Sequence, residues 1–110
     1  MPFEKFDLAD RDKERRKAVT KSIRIISVEE LKKLGEEMFD EPDRPWRETF
    51  FQLIAENPGG TFHHADAGEG VIFVYCRDID KGLWYLPGSG IGALSPAGRQ
   101  MMKEAIATGH

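Results

Sequence analysis

The sequence predicts an α+β domain in which a small antiparallel sheet of three to four strands, a meander, carries helices packed mainly on one face. Two observations lead to this prediction: a six-residue apolar run at residues 71–76 with short turns on both sides, and helical periodicity upstream of it. Such short turns join antiparallel neighbours, because a parallel crossover needs a dozen residues or more. The predicted order of elements is α-β-α-α-β-β-β-α.

Size and composition limit the class of protein. The chain has 110 residues, of which 40% are hydrophobic and 32% charged. This length suits one domain over residues 1–110. The chain is too apolar for a disordered protein, and no apolar run approaches the roughly 20 residues of a membrane span. The single cysteine, Cys76, excludes an internal disulfide.

The N-terminal segment is highly charged. We expect residues 1–20 to form a charged N-terminal arm or helix, partly mobile, because it has few apolar side chains. Residues 11–24 carry seven basic and two acidic side chains, whereas the whole chain has a net charge of −3. This segment is either a solvated helix face or a surface for nucleic acid or an acidic partner. A mildly acidic chain makes nucleic acid the less favoured partner.

The location in the cell is expected to be cytoplasmic. The first residues lack the apolar stretch of a secretory signal, and a lone thiol suits a reducing compartment.

Three later helices have recognisable ends. Ser27 and Glu30 form a capping-box pattern before apolar residues at helical spacing, which predicts a helix over 28–39. A second helix over 44–56 begins with a proline in its first turn and ends at an Asn-Pro-Gly-Gly sequence. The last helix starts with Ser95 as cap and Pro96 as its first residue.

The β-strands follow from apolar pattern and turns. A short strand is predicted within 22–26, and Val71–Cys76 shows no alternation, which indicates a central strand covered on both faces. Residues 83–86 form the returning strand, and residues 87–92 form a loop. Trp84 and Tyr85 are neighbours on one strand, so their side chains lie on opposite faces.

Aromatic side chains concentrate between residues 46 and 85. They either form the core or leave an aromatic surface or pocket for a ligand. The candidate ligand-binding residues are Trp46, Phe50, Tyr75, Trp84, Tyr85 and His64.

A glycine-rich loop precedes the last helix. Its glycines, Gly88, Gly90 and Gly92, could let backbone amides approach a phosphate at the helix N-terminus. The spacing matches neither the dinucleotide fingerprint nor the P-loop, so this is a weak phosphate-loop candidate. The alternative is a connection in which glycine relieves backbone strain.

The segment His63-His64-Ala65-Asp66 is the candidate for metal binding. Adjacent strand residues point to opposite faces, so only His64 and Asp66 could share a metal, with Cys76 as a third ligand. The spacing matches no established metal signature. We therefore expect no metal site, no cofactor and no catalytic residue.

The favoured function is a small, soluble, non-catalytic binding or interaction module that uses an aromatic surface or pocket for a small hydrophobic or aromatic ligand. A homodimer is expected, because helices on one face would leave the other face uncovered. No membrane contact is expected. One alternative is a small-substrate enzyme with His64, Asp66 and the Gly88–Gly92 loop in one cleft. The further alternative is nucleic-acid or acidic-partner binding through residues 11–24.

Overall fold

The computed structural model describes the backbone of residues 2–38 and 44–109, and the side chains of residues 12–38 and 45–108. Its elements in chain order are α1 (Pro2–Ser22), β1 (Arg24–Ile26), α2 (Val28–Met38), α3 (Arg44–Glu56), β2 (Phe62–Asp66), β3 (Ile72–Cys76), β4 (Lys81–Leu86), β5 (Gly90–Ala93) and α4 (Pro96–Gly109). The predicted α+β class is confirmed. Phe39, the last residue of the predicted second helix, lies outside the described residues.

The sheet is an antiparallel array in the order β1-β2-β3-β4-β5. β3 is its middle strand, and residues 73–76 are all buried. The prediction of a central strand shielded on both faces is therefore confirmed. Its apolar residues fit this position because both faces of a central strand need apolar side chains.

The predicted strand count is wrong, because the sheet has five strands rather than three or four. The predicted loop over residues 87–92 is instead a three-residue turn followed by the first three residues of β5. In that turn the Ser89 amide donates to the Leu86 carbonyl oxygen at 2.9 Å, and Gly88 has a left-handed φ of 78°. Glycine has low strand propensity. The glycine-rich sequence therefore does not predict β5, because this strand is stabilised by its pairing with β4.

The helices cover both faces of the sheet, so the prediction of helices mainly on one face is also wrong. α2 and α3 pack on one face, where the core includes Phe50, Phe62 and Tyr85. α1 and α4 pack on the other, where it includes Phe73 and Met102. The reason is that β3 and β4 present apolar side chains to both faces, and each face must be buried.

α1 is tied to the sheet from Asp12 onward, the part whose side chains are described. Val19 is fully buried, and the Ser22 hydroxyl accepts a hydrogen bond from the Asp66 amide at 2.8 Å. The predicted charged helix is therefore present, and this part docks on β2. The side chains of residues 2–11 lie outside the described residues.

The α2/α3 layer approaches the sheet closely. The rings of Phe50 and Tyr85 meet edge to face with centroids 5.9 Å apart. A Cβ atom on Gly35 would lie 2.8 Å from the Phe51 ring, so glycine at this position lets α2 and α3 pack together.

The N-terminal cap of α2 forms at Ser27. The Ser27 hydroxyl accepts from the Glu30 amide at 3.1 Å, as the capping pattern predicts. The Glu30 carboxylate, however, accepts from Arg24 at 3.0 Å.

Within the described part of the chain, no helix combines the length and apolar character required to cross a membrane.

Candidate ligand-binding cleft

A cleft of about 290 Å³ lies on the α1/α4 face of the sheet, beside Trp84. α1 forms one wall, the first turns of α4 form the other, and β3 and β4 supply the floor. Its lining residues are Asp12, Arg15, Val71, Phe73, Trp84, Ser95, Ala97, Gly98 and Met101. The cleft therefore combines an apolar floor with a polar rim.

The indole of Trp84 is held by two glycines of β5. A Cβ atom on Gly92 would lie 2.8 Å from the indole Nε1, and one on Gly90 would lie 3.7 Å from Cη2. The indole consequently lies across both glycines while remaining only half-buried. This packing explains the glycine-rich sequence better than phosphate binding does, because Trp84 occupies the space above Gly90 and Gly92.

Arg15 is positioned across the wall of the cleft. Its Nη1 donates to the Ala67 carbonyl oxygen at 3.1 Å, and its guanidinium carbon lies 6.0 Å from the centre of the Phe73 ring. A guanidinium has five N–H donors. One donor fixes the side chain, and the guanidinium carries four more that can contact a bound molecule.

The start of α4 completes the rim. The Ser95 hydroxyl accepts from the Gly98 amide at 3.1 Å, which confirms Ser95 as the predicted cap. The same hydroxyl still has a proton to donate. Asp12 contributes a carboxylate from the opposite wall. The rim can therefore contact a ligand group of either charge or a neutral hydroxyl.

Three other candidate aromatic residues lie on the opposite face. Phe50 and Tyr85 are buried in the α2/α3 core, and Trp46 packs against that core. Burial raises the pKa of Tyr85 to about 12. These side chains contribute to stability, and none of them lines the Trp84 cleft.

Tyr75 is fully buried in the α1/α4 core and acts through its hydroxyl, which donates to Asp80 at 2.6 Å. Burial, followed by this hydrogen bond, raises the pKa of Tyr75. The bonds that Tyr75 and Lys103 donate lower the pKa of Asp80, despite partial desolvation. Lys103 lies 3.1 Å and Arg99 3.8 Å from the Asp80 carboxylate. This cluster anchors the β3–β4 turn to α4.

His64 also lies away from the cleft. It is two residues from Phe62 on β2 and so shares its face, beside its cross-strand neighbour Arg24. Burial is the main cause that lowers the pKa of His64, and Arg24 lowers it further, against the opposing effects of Glu30 and Asp66. His64 and Trp84 therefore lie on opposite faces of the sheet.

The groups of the enzyme alternative do not share a cleft. His64 and Asp66 belong to β2, whereas Gly90 and Gly92 belong to β5, with β3 and β4 between them. Three strand spacings correspond to about 14 Å. This separation is too large for the groups to contact one small substrate.

Among the described side chains, no group of three or more His, Cys, Asp or Glu could hold a metal ion. The buried Cys76 thiol accepts from the Asn57 side-chain amide at 3.3 Å and lies 3.8 Å from Asp78. His63 is half-buried, and its Nδ1 is buried without a partner among the described residues.

The basic residues of the 11–24 segment are divided between several surfaces. Arg15 enters the cleft, Arg24 pairs with Glu30 at 3.0 Å, and Arg16 lies 3.8 Å from Glu104. The exposed face of α1 keeps a shallow basic groove lined by Lys13, Arg16, Lys17, Thr20 and Lys21. Binding of an acidic partner or nucleic acid there remains a prediction, and such binding would weaken steeply with added salt.

Of the cleft residues, Trp84 is predicted from the sequence as a candidate binding residue, whereas Arg15, Ser95 and Met101 are not. The spacing of Arg15, Val19 and Ser22 places them on one side of α1, and this pattern could have shown that Arg15 faces the protein.

No protein-family model matches the chain, and comparisons with curated proteins and with solved structures also found no match. Its function therefore has to be inferred from the cleft and its side chains.

Proposed function

We propose that the protein is a small non-catalytic binding module that takes a small hydrophobic or aromatic ligand in the Trp84 cleft. The observation that carries this proposal is the half-buried indole, which lies across Gly90 and Gly92 and faces a cleft of about 290 Å³. This volume lies just below the usual range for ligand pockets, which begins near 300 Å³. The ligand that fits is one ring, or a comparable apolar group, with a short polar substituent.

The lining supports a defined orientation for such a ligand. Its apolar part would contact Trp84, Phe73 and Met101, because an indole prefers offset or edge-to-face contacts with another ring. Its polar substituent would reach the rim, where Arg15 and Ser95 can donate hydrogen bonds and Asp12 can accept one. The enzyme alternative has less support, since its groups lie on separate strands.

The experiment uses three probes with the same ring and different charge: benzoate, benzylamine and benzyl alcohol. A Trp46→Phe background leaves Trp84 as the only indole, so its N–H signal in NMR spectra and its fluorescence report on the cleft. We expect at least one probe to shift the Trp84 signal with a Kd of about 1 mM or tighter, as suits a fragment. The preferred charge then shows whether Arg15 or Asp12 directs binding.

A matched pair of α4 variants provides the control. Ala97 lines the cleft, whereas Ala107 is an exposed alanine farther along the helix. Ala97→Phe fills the cleft and should weaken binding at least about tenfold, a change of about 1.4 kcal/mol. Ala107→Phe should leave binding unchanged. The proposal fails if no probe shifts the Trp84 signal, or if both variants bind equally well.

The proposal also includes a homodimer and a cytoplasmic location. The buried, unpaired Cys76 thiol supports a reducing compartment. The expectation of an uncovered sheet face is wrong, because helices cover both faces. The feature that supports self-association is the edge strand β5, which carries no charged residue.

A further inference from the structure

The two edges of the sheet differ in how they are protected against pairing with another strand. Natural edge strands are commonly blocked by charged residues, proline, bulges or very short length. β1 has only three residues, one of them Arg24. β5, Gly90–Ala93, contains no charged residue and no proline. β5 is therefore the edge with the fewer obstacles to pairing.

The hydrogen bonds between β4 and β5 show which backbone groups point outward. The Leu94 amide donates to the Gly82 carbonyl oxygen at 2.9 Å, and the register aligns Gly92 with Trp84 and Gly90 with Leu86. In an antiparallel ladder, hydrogen-bonded and non-hydrogen-bonded pairs alternate. Gly90 and Gly92 therefore bond to β4.

The alternate residues, Ile91 and Ala93, then direct their N–H and C=O groups away from β4. These two N–H and two C=O groups form the outer edge of the sheet.

We propose that β5 pairs antiparallel with β5 of a second copy of this chain, with Gly92 at the two-fold axis. In this register, Ile91 of each copy lies opposite Ala93 of the other. Each of these two pairs exchanges two hydrogen bonds, so all the outward groups of both strands are satisfied. The two sheets become one continuous sheet of ten strands.

The side chains of β5 suit this symmetric arrangement. Gly92 meets Gly92 of the second copy in a non-hydrogen-bonded pair, where Cα atoms approach to about 4.5 Å. No charge is placed opposite a like charge. Each Trp84 indole already lies over Gly92. The two indoles would therefore lie on either side of the junction, on one face of the sheet.

On the α3 face, the second copy's Ile91 would lie beside Ala93, at the mouth of a second cleft. This cleft has a volume of about 380 Å³, and its lining combines apolar side chains such as Leu53 and Leu83 with charged ones such as Glu56 and Lys81. Stable interfaces bury about 800 Å² on each partner, which strand pairing over four residues does not supply. Coverage of this cleft would add buried area to that of the strand pair.

This inference rests on the homodimer part of the proposed function and is independent of the ligand. The test is the molar mass from light scattering at about 0.2 mM protein, since dimerisation follows mass action. We expect twice the mass of one chain. A single-chain mass at this concentration would overturn the proposal.

Two edge variants locate the interface. Ala93→Pro removes one outward N–H per copy, and a folded monomer tolerates proline at such an edge position. It should reduce the mass to that of one chain while circular dichroism remains unchanged. Ile25→Arg places a charge on the opposite edge, where Ile25 is 67% exposed, and should leave the dimer intact. A dimer that survives Ala93→Pro, or that is broken by Ile25→Arg, contradicts the proposed interface.

A second substitution covers the case in which Ala93→Pro does not fold. Ala93→Lys keeps the backbone groups but puts a charge beside the second copy's Ile91, and it should also give a single-chain mass. A folded Ala93→Lys variant that remains dimeric counts against the interface. The ring probes are then tested on the monomeric variant. Retained binding separates the ligand proposal from the dimer proposal, and either can fail alone.

Discussion

The α2/α3 face of the sheet is closed, whereas the α1/α4 face keeps a cleft, and two adjacent residues of β4 show the difference. Tyr85 is 4% exposed and meets the Phe50 ring edge to face. Trp84, its neighbour, is half-buried and lies over glycines. Both rings belong to β4, so their position on this strand does not explain why one is buried and the other half-exposed.

The helices that face these two rings make the difference. α3 brings Phe50, Leu53 and Ile54 onto its side of the sheet. The first turns of α4 place the small Ala97 and Gly98 on the cleft, and Met101 follows one turn later. Side chains as small as those of Ala97 and Gly98 leave space above the indole. The volume supplied by the opposing helix therefore decides whether an aromatic residue of this sheet lies in the core or lines a cleft.

The largest expected effect tests the closed face. Phe50→Ala should lower the free energy of unfolding by about 3–5 kcal/mol, because it removes a buried ring and leaves a cavity. Phe51→Ala, at the half-exposed neighbouring position, is the matched control and should cost clearly less. Urea unfolding measures both. Equal losses would show that the α2/α3 face is not closed in the way described.

The cleft face is tested at Gly92. Gly92→Ala should lower the free energy of unfolding by about 1–3 kcal/mol, because a new Cβ atom would lie within van der Waals distance of the indole and force it to move. Trp84 fluorescence should change as well. Gly59→Ala is the control, since nothing lies within 4 Å of an added Cβ there. An unchanged fluorescence spectrum in Gly92→Ala would mean that the glycine does not hold the indole.

A smaller effect is expected at the hydrogen bond beneath α4. Tyr75→Phe should cost about 1 kcal/mol, because it keeps the buried ring and removes only the hydroxyl that donates to Asp80. Asp80→Asn tests the acceptor. In a double-mutant cycle the two changes should be non-additive, since they share one interaction. Additive losses would argue against a direct contribution from this bond.

The smallest effect concerns pH. Burial, with a contribution from Arg77, lowers the pKa of His63, and burial with Arg24 lowers that of His64. Both folded-state values lie below the unfolded value of about 6.5, so the unfolded chain binds more protons in the interval between them. The contribution of these neutral histidines to the free energy of unfolding is therefore full above pH 6.5. It is lost as the pH falls from 6.5 through the folded-state pKa values.

Two measurements check this direction of the pH dependence of stability. NMR titration should give imidazole pKa values below 6.5, and urea unfolding should show lower stability at pH 5.5 than at pH 7.5. His63→Gln and His64→Gln should each reduce that difference. A histidine that titrates above 6.5 would reverse the expected dependence for its position.

Local signals in the sequence identified much of the fold. The Ser27 and Ser95 caps and the apolar run of Val71–Cys76 each depend on neighbouring residues, and the structure confirms all three. β5 was missed because its stability depends on pairing with β4 and on the Trp84 indole. The second helical layer was missed because α1 has few apolar residues, although Val19 is fully buried.

The candidate site was only partly predictable for the same reason. The divergence of Trp84 and Tyr85 follows from strand geometry alone. The convergence of Arg15, Phe73 and Ser95 on Trp84 does not, because these residues are brought together by contacts between elements distant in the chain. The residues near each of these positions do not predict that α1 and the start of α4 lie close together.

Local sequence patterns are enough to show where most helices begin and end, which strand is central, and that Trp84 and Tyr85 lie on opposite faces. These properties depend on caps, prolines and side-chain alternation, which act between near neighbours. The burial of Tyr85 in the core and the place of Trp84 in the floor of a cleft follow from the packing of the layers. That outcome depends on how much side-chain volume each opposing helix supplies, and this is settled when the layers pack.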